Sequence, residues 1–317
     1  MQEPKIPLVS IVGPTATGKT ELAINLAAKF GGEIVSGDSM QIYKEFNILS
    51  AKPTLRQLKK VPHHLVNCLS VKKEFSVAKF TEFASAIIDS IFKSGKLPFL
   101  VGGTGLYIDA LLKNINFEEN KEDYEPKPDL SSYGNEDLLL MLEKIDMVSA
   151  KKIHMNDTKR LKRAIEFFYA SGYPISEQNA RSKLSKSKYK VCKIGLNYKN
   201  RELLYQKINK RVEGMFANGI VQEVCNAIKL VPSKTAASAI GYKEIVPFVL
   251  GKCSEQEAID NLKQATRRYA KRQLTWFRRD KDINWVYVDD FDSFEDIIEK
   301  GTEIISASDL FKTNIEG

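Results

Sequence analysis

Four cysteines and three histidines in 317 residues leave little material for several kinds of chemistry. Cys68, Cys192, Cys225 and Cys253 stand far apart with no C-x-x-C spacing, which argues against a zinc site and against a disulfide framework. His63, His64 and His154 pair with no nearby cysteine or carboxylate at ligand spacing. No apolar run approaches the roughly 18–20 residues that span a bilayer. Met1 to Lys5 leads straight into a strand-like run, so no signal peptide is expected. These absences point to a cytoplasmic protein with free thiols and no membrane contact. The length suits one large domain with an insertion, or two domains.

What is present begins with Gly13-Pro14-Thr15-Ala16-Thr17-Gly18-Lys19-Thr20, which fits G-x-x-x-x-G-K-[ST]. The preceding run, Ile6 to Val12, is apolar and β-branched and reads as a buried strand. The following run, Glu21 to Lys29, carries apolar residues at helical spacing. Strand, glycine-rich turn and helix form the context in which the pattern becomes a phosphate cradle. Backbone N–H groups and the helix N-terminus face an anion, Lys19 adds a full charge, and the Thr20 hydroxyl is a candidate Mg²⁺ ligand. An ordinary strand-to-helix turn is the bland alternative.

The first ~110 residues read as α/β with parallel strands. Glu33 to Ser36 is a second strand, followed by Gly37-Asp38-Ser39-Met40-Gln41. Ser76 to Phe92 is an amphipathic helix with Val77, Phe80, Phe83, Ala84, Ile87, Ile88 and Ile91 inward. Leu97 to Val101 is a third strand, followed by Gly102-Gly103-Thr104-Gly105. In an open parallel sheet the ligand lies beyond the carboxyl ends of the strands, so the loop, Asp38 and Thr104 should converge. Residues 113–190 change character and read as a mainly helical insertion, with helices over Glu136–Ile145 and Ser149–Ser171. Residues 1–112 and 191–317 then form the core domain. Strand character resumes at Val191. Helices follow over Arg201–Phe216, Ile220–Leu230 and Glu255–Arg279, and the last has an expected core stripe of Ala258, Leu262, Ala265, Tyr269 and Trp276.

Charge is concentrated. From Lys151 to Lys193 twelve lysines and arginines face three acids, while Asn114 to Asp146 is acidic. A second basic block runs from Lys263 to Lys281. Two such blocks beside a phosphate loop point to a nucleic acid partner, against the alternative of solvated helix faces.

A P-loop kinase normally places an acid for Mg²⁺ at the end of a nearby apolar strand. Here Leu97–Val101 ends in Gly102 and Gly103, and the acid stands after the second strand as Asp38. That weakens a small-molecule or nucleoside kinase using ATP, the rival reading, and leaves Asp38 for work on a substrate beside the phosphates. Asp38 and Gln41 also match a capping box, and Thr104 matches a plain N-cap.

The series Gly13–Thr20, Asp38–Tyr43, Pro62-His63-His64-Leu65, Val101–Tyr107, Asn156–Ala164, Ala239–Lys243 and Arg268–Phe277 resembles the tRNA dimethylallyltransferase (isopentenyltransferase) family. The order is right from the first strand to Arg279. The resemblance implies a P-loop NTPase-like parallel sheet flanked by helices with a helical insertion. It also implies transfer of a dimethylallyl group from dimethylallyl diphosphate to the N6 amine of the adenosine 3′-adjacent to the anticodon. Asp38 is then the general base and Thr104 positions the amine, while Gly13 to Thr20 and Arg211 hold the diphosphate with Mg²⁺ on Thr20. The tRNA anticodon stem-loop is expected on Asp38, Ser39, Met40, Gln41, Lys159, Arg160, Leu161, Lys162, Arg163, Lys243 and Arg272, with the enzyme a monomer. Two departures stand out. The segment Asn116–Tyr133 is short and acidic where relatives carry an arginine, and the zinc-finger extension of eukaryotic members is missing.

Overall fold

A computed structural model describes residues 5–115, 126, 128–184 and 187–311. The acidic segment flagged above therefore lies largely outside the described residues. The chain divides into two units, Met1–Leu111 with Lys188–Gly317, and Leu112–Ser187.

The first unit is built on β1 (Ile6–Val12), α1 (Lys19–Lys29), β2 (Gly32–Ser36), α2 (Leu55–Lys60), β3 (His63–His64), α3 (Val77–Lys93), β4 (Leu97–Val101) and α4 (Gly105–Leu112, whose last residue falls in the second unit). The second unit holds α5 (Asn135–Ile145), α6 (Met147–Ala150), α7 (Thr158–Ser171) and α8 (Ile175–Leu184). The chain returns through β5 (Tyr189–Asn197), α9 (Arg201–Ala217), α10 (Ile220–Lys229), α11 (Lys234–Ala237), α12 (Tyr242–Val249), α13 (Glu255–Phe277), β6 (Ile283–Tyr287) and α14 (Phe294–Ala307).

The strands form one six-stranded sheet, order β3-β2-β4-β1-β5-β6, and every pairing is parallel. Parallel strands need crossovers, which place helices over the faces and bury both sides. That is why β4, Leu-Pro-Phe-Leu-Val, is buried at every position. Val9, Ile11, Ile34, Phe99, Ile194 and Leu196 share one core with Leu22 and Leu26 of α1 and Ile297 and Ile305 of α14. Helix α3 packs on β1, β2 and β4 through Phe80, Ala84, Ile88 and Ile91. Phe83, expected inward, is 45% exposed. Among the described residues no helix is long and apolar enough to cross a membrane.

The second unit has its own core, Leu130, Leu138, Leu142, Ala150, Leu161, Ala164 and Ile165. The single helix expected over Ser149–Ser171 is two. The Asp146 carboxylate caps α6 through Ser149 N at 2.9 Å, and Asp157 caps α7 through Arg160 N at 3.3 Å. Two aspartates that satisfy orphan N–H groups restart the helix and put a turn at 151–157.

Candidate functional site

The phosphate loop starts where β1 ends. Gly13 has φ 136°, and a Cβ there would lie 2.2 Å from the Leu196 carbonyl oxygen of β5, so only glycine fits between these strands. Gly18, with φ 88°, is the left-handed residue from which α1 begins. Pro14 O accepts from Thr17 Oγ1 at 2.9 Å and from Lys19 Nζ at 2.6 Å, so the lysine folds back across its own loop. Gly13, Pro14 and Thr17 are buried and shape the turn from behind, with Ala16 and Gly18 half-buried. Thr15, Lys19 and Thr20 face a cavity of roughly 390 Å³.

That cavity collects the carboxyl ends of the central strands, as the sheet's topology requires. Ser36, Asp38, Ser39, Met40 and Gln41 come from the end of β2, and Gly102 and Gly103 follow β4. Arg211 of α9, Lys243 of α12, and Tyr269, Arg272 and Gln273 of α13 add to the polar lining. Apolar positions, among them Ala23, Ile34, Leu49, Met215, Ile220 and Leu262, line the remainder.

Burial lowers the Lys19 ammonium to a pKa of about 7; the neighbouring Arg211 charge adds to this and the Asp38 carboxylate opposes it. Burial likewise pushes Arg211 down from its usual range, again with Asp38 opposing. Tyr269 is pushed well up, first by burial and then by the charge of Asp38. One carboxylate is therefore felt by the phosphate-loop lysine, by the α9 arginine and by the α13 tyrosine. The three sequence segments predicted to converge do so around Asp38.

No helix follows Asp38, which removes the capping-box reading. Asp38 Oδ1 accepts from Met40 N at 2.9 Å in a tight side-chain turn, and Gln41 Oε1 accepts from Ser36 Oγ at 2.8 Å. The carboxylate is thus oriented through one oxygen, and its second oxygen makes no hydrogen bond among the described residues. Thr104 works one step back from the cavity. Its hydroxyl accepts from Ser39 N at 3.1 Å and donates to Ser39 Oγ at 3.3 Å, which ties the Asp38–Gln41 loop to the end of β4. Thr104 thereby fixes the loop that carries Asp38.

Three further residues shape the site without having been anticipated. Gln273 Oε1 accepts from Thr15 N at 2.9 Å, and its Nε2 donates to Gly103 O at 2.9 Å, so α13 joins two loops of the cavity. Glu223 of α10 accepts from Asn47, Ile48 and Leu49 N–H, each at 2.8 Å, and so holds the loop that supplies Leu49, Ser50 and Ala51 to the wall. Lys52 Nζ binds the carbonyls of Tyr43 and Lys44 and the side chains of Asn47 and Asn67; burial lowers it to about 8. Only Gln273 lay within a quoted motif. A lone Glu or Lys on an amphipathic helix or loop carries no signal of which backbone it will grip.

Among the described residues no group of three or more His, Cys, Asp or Glu is placed to hold a metal. Among the oxygen-bearing side chains that line the cavity are the Thr20 hydroxyl at the start of α1 and the Asp38 carboxylate. That set fits Mg²⁺, which keeps most of its shell as water and phosphate oxygen and takes few protein ligands.

The basic positions of the second unit expected to meet RNA lie on α7. Lys159, Arg160 and Arg163 are exposed, Arg160 also pairing with Asp157 at 3.2 Å, and Lys162 is half-buried. Leu161 is a correction: it is fully buried in the core of its unit and offers no side chain to a partner. In the first unit the second basic block is partly tied inward. Lys263 pairs with Glu213 at 2.6 Å, and Arg267 donates to Asn209 at 2.8 Å. Arg268, Lys271 and Arg272 remain exposed.

Two family models match the chain, IPP transferase over residues 41–280 and isopentenyl transferase over residues 6–74. A tRNA dimethylallyltransferase of Caldanaerobacter subterraneus subsp. tengcongensis is 45% identical, over 95% of this chain and 98% of the relative. The crystal structure of a tRNA isopentenylpyrophosphate transferase from Bacillus halodurans is similar at 38% identity and a TM-score of 0.73, covering 95% of this chain and 96% of that one. A eukaryotic dimethylallyltransferase acting on tRNA matches at 28% identity and a TM-score of 0.79, covering 96% and 80%. A phosphate loop facing one oriented carboxylate, on a parallel sheet shared with near-full-length relatives, makes this chain a member of the IPP transferase family.

Proposed function

We propose that the protein transfers a dimethylallyl group from dimethylallyl diphosphate to the N6 amine of the adenosine 3′-adjacent to the anticodon of tRNA, releasing pyrophosphate. The observation that carries this reading is the Asp38 carboxylate in the same cavity as Lys19 and Arg211. The amine attacks the first carbon of the prenyl chain as the carbon–oxygen bond to the diphosphate breaks. Adenine N6 is a weak nucleophile, since its lone pair is delocalised into the ring. Asp38 accepts its proton as the new bond forms, with Met40 N holding the carboxylate in place. Lys19, Arg211 and the loop amides take up the charge that develops on the leaving pyrophosphate. Mg²⁺ held at Thr20 would add Lewis-acid charge to that leaving group. The apolar wall at Ala23, Ile34 and Leu49 suits the five-carbon chain. The base must leave its stack to reach the cavity, and exposed Lys159, Arg160 and Arg163 suit contacts to RNA phosphates.

Relatives named tRNA dimethylallyltransferase support this reading over the kinase. So does the chain itself, which has glycines rather than a carboxylate after β4. Unmodified tRNA incubated with Mg²⁺ and either labelled dimethylallyl diphosphate or labelled ATP tests it. Label should pass to tRNA from the prenyl donor alone. Phosphate transfer from ATP, or undiminished prenylation of AMP without tRNA, would refute it.

A further inference from the structure

The phosphate loop lacks two of the donors that its pattern could supply. Pro14 has no N–H at all. The Thr15 N–H is taken, because it donates to Gln273 Oε1 at 2.9 Å. Gln273 cannot turn this bond aside at no cost. It is 5% exposed, and its other end is fixed by donation to Gly103 O at 2.9 Å. A Cβ on Gly103 would stand 2.1 Å from Gln273 Nε2, so the β4 turn is bare where the carboxamide sits. The free donors of the loop are therefore confined to Ala16 through Thr20, next to the start of α1. The mouth of the loop instead presents an amide oxygen.

We propose that Gln273 is a positioning and specificity-determining residue that closes the phosphate loop to a third phosphoryl group. In a loop of this pattern the amides nearest the helix cradle the inner phosphates, and the lysine reaches outward to the terminal ones. A diphosphate is served by the donors from Ala16 to Thr20 with Lys19 and Arg211. A third phosphoryl group, extending toward Thr15, meets an oxygen lone pair in place of an N–H, and anion against acceptor is repulsive. The same side chain holds the β4 turn, and through Thr104 and Ser39 that turn holds the Asp38 loop. One amide thus sets both the length of the anion accepted and the position of the base relative to it. This inference rests on the diphosphate-transfer reading above and names the residue that enforces it.

The test compares binding of inorganic diphosphate and tripolyphosphate, each with Mg²⁺, to the full chain and to two variants. Gln273→Met keeps the volume and frees Thr15 N–H; its preference for diphosphate over tripolyphosphate should fall by about tenfold, the worth of one hydrogen bond to a charged group. Gln273→Glu keeps an acceptor on Thr15 but loses the donation to Gly103 O; its charge should weaken binding of both anions, while the parent's preference for diphosphate over tripolyphosphate should remain. In the unaltered protein the Thr15 amide resonance should stay unshifted and protected from exchange at diphosphate saturation, while those of Ala16 to Lys19 move. This measurement needs no variant to fold. Gln273→Met with unchanged selectivity and only a lowered melting temperature would reduce Gln273 to a packing staple, as would a Thr15 amide that shifts with its neighbours. Either result, alongside normal prenyl transfer to tRNA, overturns the role of Gln273 and leaves the activity standing. A protein that binds neither anion overturns both.

Discussion

Raising the pH from 7 to 9 should weaken prenyl diphosphate binding, because Lys19 enters the site close to losing its proton. Its pKa of about 7 reflects burial first and the Arg211 charge second, with Asp38 pulling the other way. A diphosphate brought against the ammonium restores the charged form, so binding above pH 7 draws a proton from solution. At pH 8 only about a tenth of the free sites hold that proton, and uptake should approach roughly 0.9 per diphosphate bound. Affinity then falls by about tenfold per pH unit beyond 8, or roughly fifty-fold between pH 7 and 9, some 2.3 kcal/mol at 1.36 per unit. The donor diphosphate is itself essentially fully ionised there and adds little slope of its own. Titration calorimetry in two buffers of different ionisation enthalpy reads the uptake directly, with Lys19→Met as the control that should abolish it. The stability sign is opposite to that of a salt-bridged lysine. The folded state holds fewer protons than the unfolded state between about pH 7 and the ordinary lysine value of 10.5. Stability of the free protein therefore rises with pH across that window, and Lys19→Met should raise the melting temperature at pH 7. Proton uptake near zero at pH 8, or equal uptake in Lys19→Met, would refute the assignment of a near-neutral lysine to the loop.

Other outcomes follow from single contacts. Asp38→Asn keeps the turn to Met40 and should lower kcat by about 10²–10⁴-fold, the range of a lost general base; tRNA affinity and melting temperature should hold, and a parallel loss of stability would make Asp38 structural. Replacing Arg160 or Arg163 by Ala should lower the magnitude of the slope of log affinity against log salt by about one each; an unchanged slope would place the RNA away from α7. Leu161→Ala should destabilise by about 2–5 kcal/mol through a core cavity, read by denaturant unfolding. Near-neutral stability combined with weaker tRNA binding would restore Leu161 as a contact residue.

Much of the fold could be read because its strands are buried on both faces. Leu97–Val101 is continuously apolar and Ile6–Val12 is apolar but for Ser10, and each is followed by glycine where the backbone must turn away from a ligand. Short elements escaped. The β3 strand is two histidines, and its neighbour α2 buries no side chain. Helix α12 contains Pro247, which argues for an ending rather than an interior. The break between α6 and α7 was hidden because Ile153, Leu161 and Ile165 are eight and four residues apart, steps that one unbroken helix face would also show, and the deciding groups are two aspartates that read as ordinary surface acids. Helix α13 buries the first two positions of its expected stripe, Ala258 and Leu262, but in its second half the buried positions are Ala270, Gln273 and Phe277, with Tyr269 and Trp276 half-buried. Ala270 packs on Leu204 and Ile208, but at Gln273 the helix meets the polar backbone of two ligand loops, so a glutamine fits where pattern alone asks for a hydrocarbon.

The same reason explains which parts of the site were legible. Asp38 could be found because, in a parallel sheet, whatever follows β2 lies at the same edge as whatever follows β1, with only β4 between them. Strand order alone carries that inference, with no contact needed. The cap reading turned on one local fact, whether a helix follows, and the chain turns back through Met40 instead. Gln273 could not be found this way. Its partners lie 258 and 170 residues earlier in the chain, and the helix bearing it is named in sequence only by arginines that suggest RNA. A buried carboxamide is stable only when both its ends are satisfied, so its presence in a basic helix implies two backbone groups waiting in unrelated loops. An unpartnered N–H on the phosphate loop and an unpartnered carbonyl on the glycine turn are the two that the parallel sheet brings within reach.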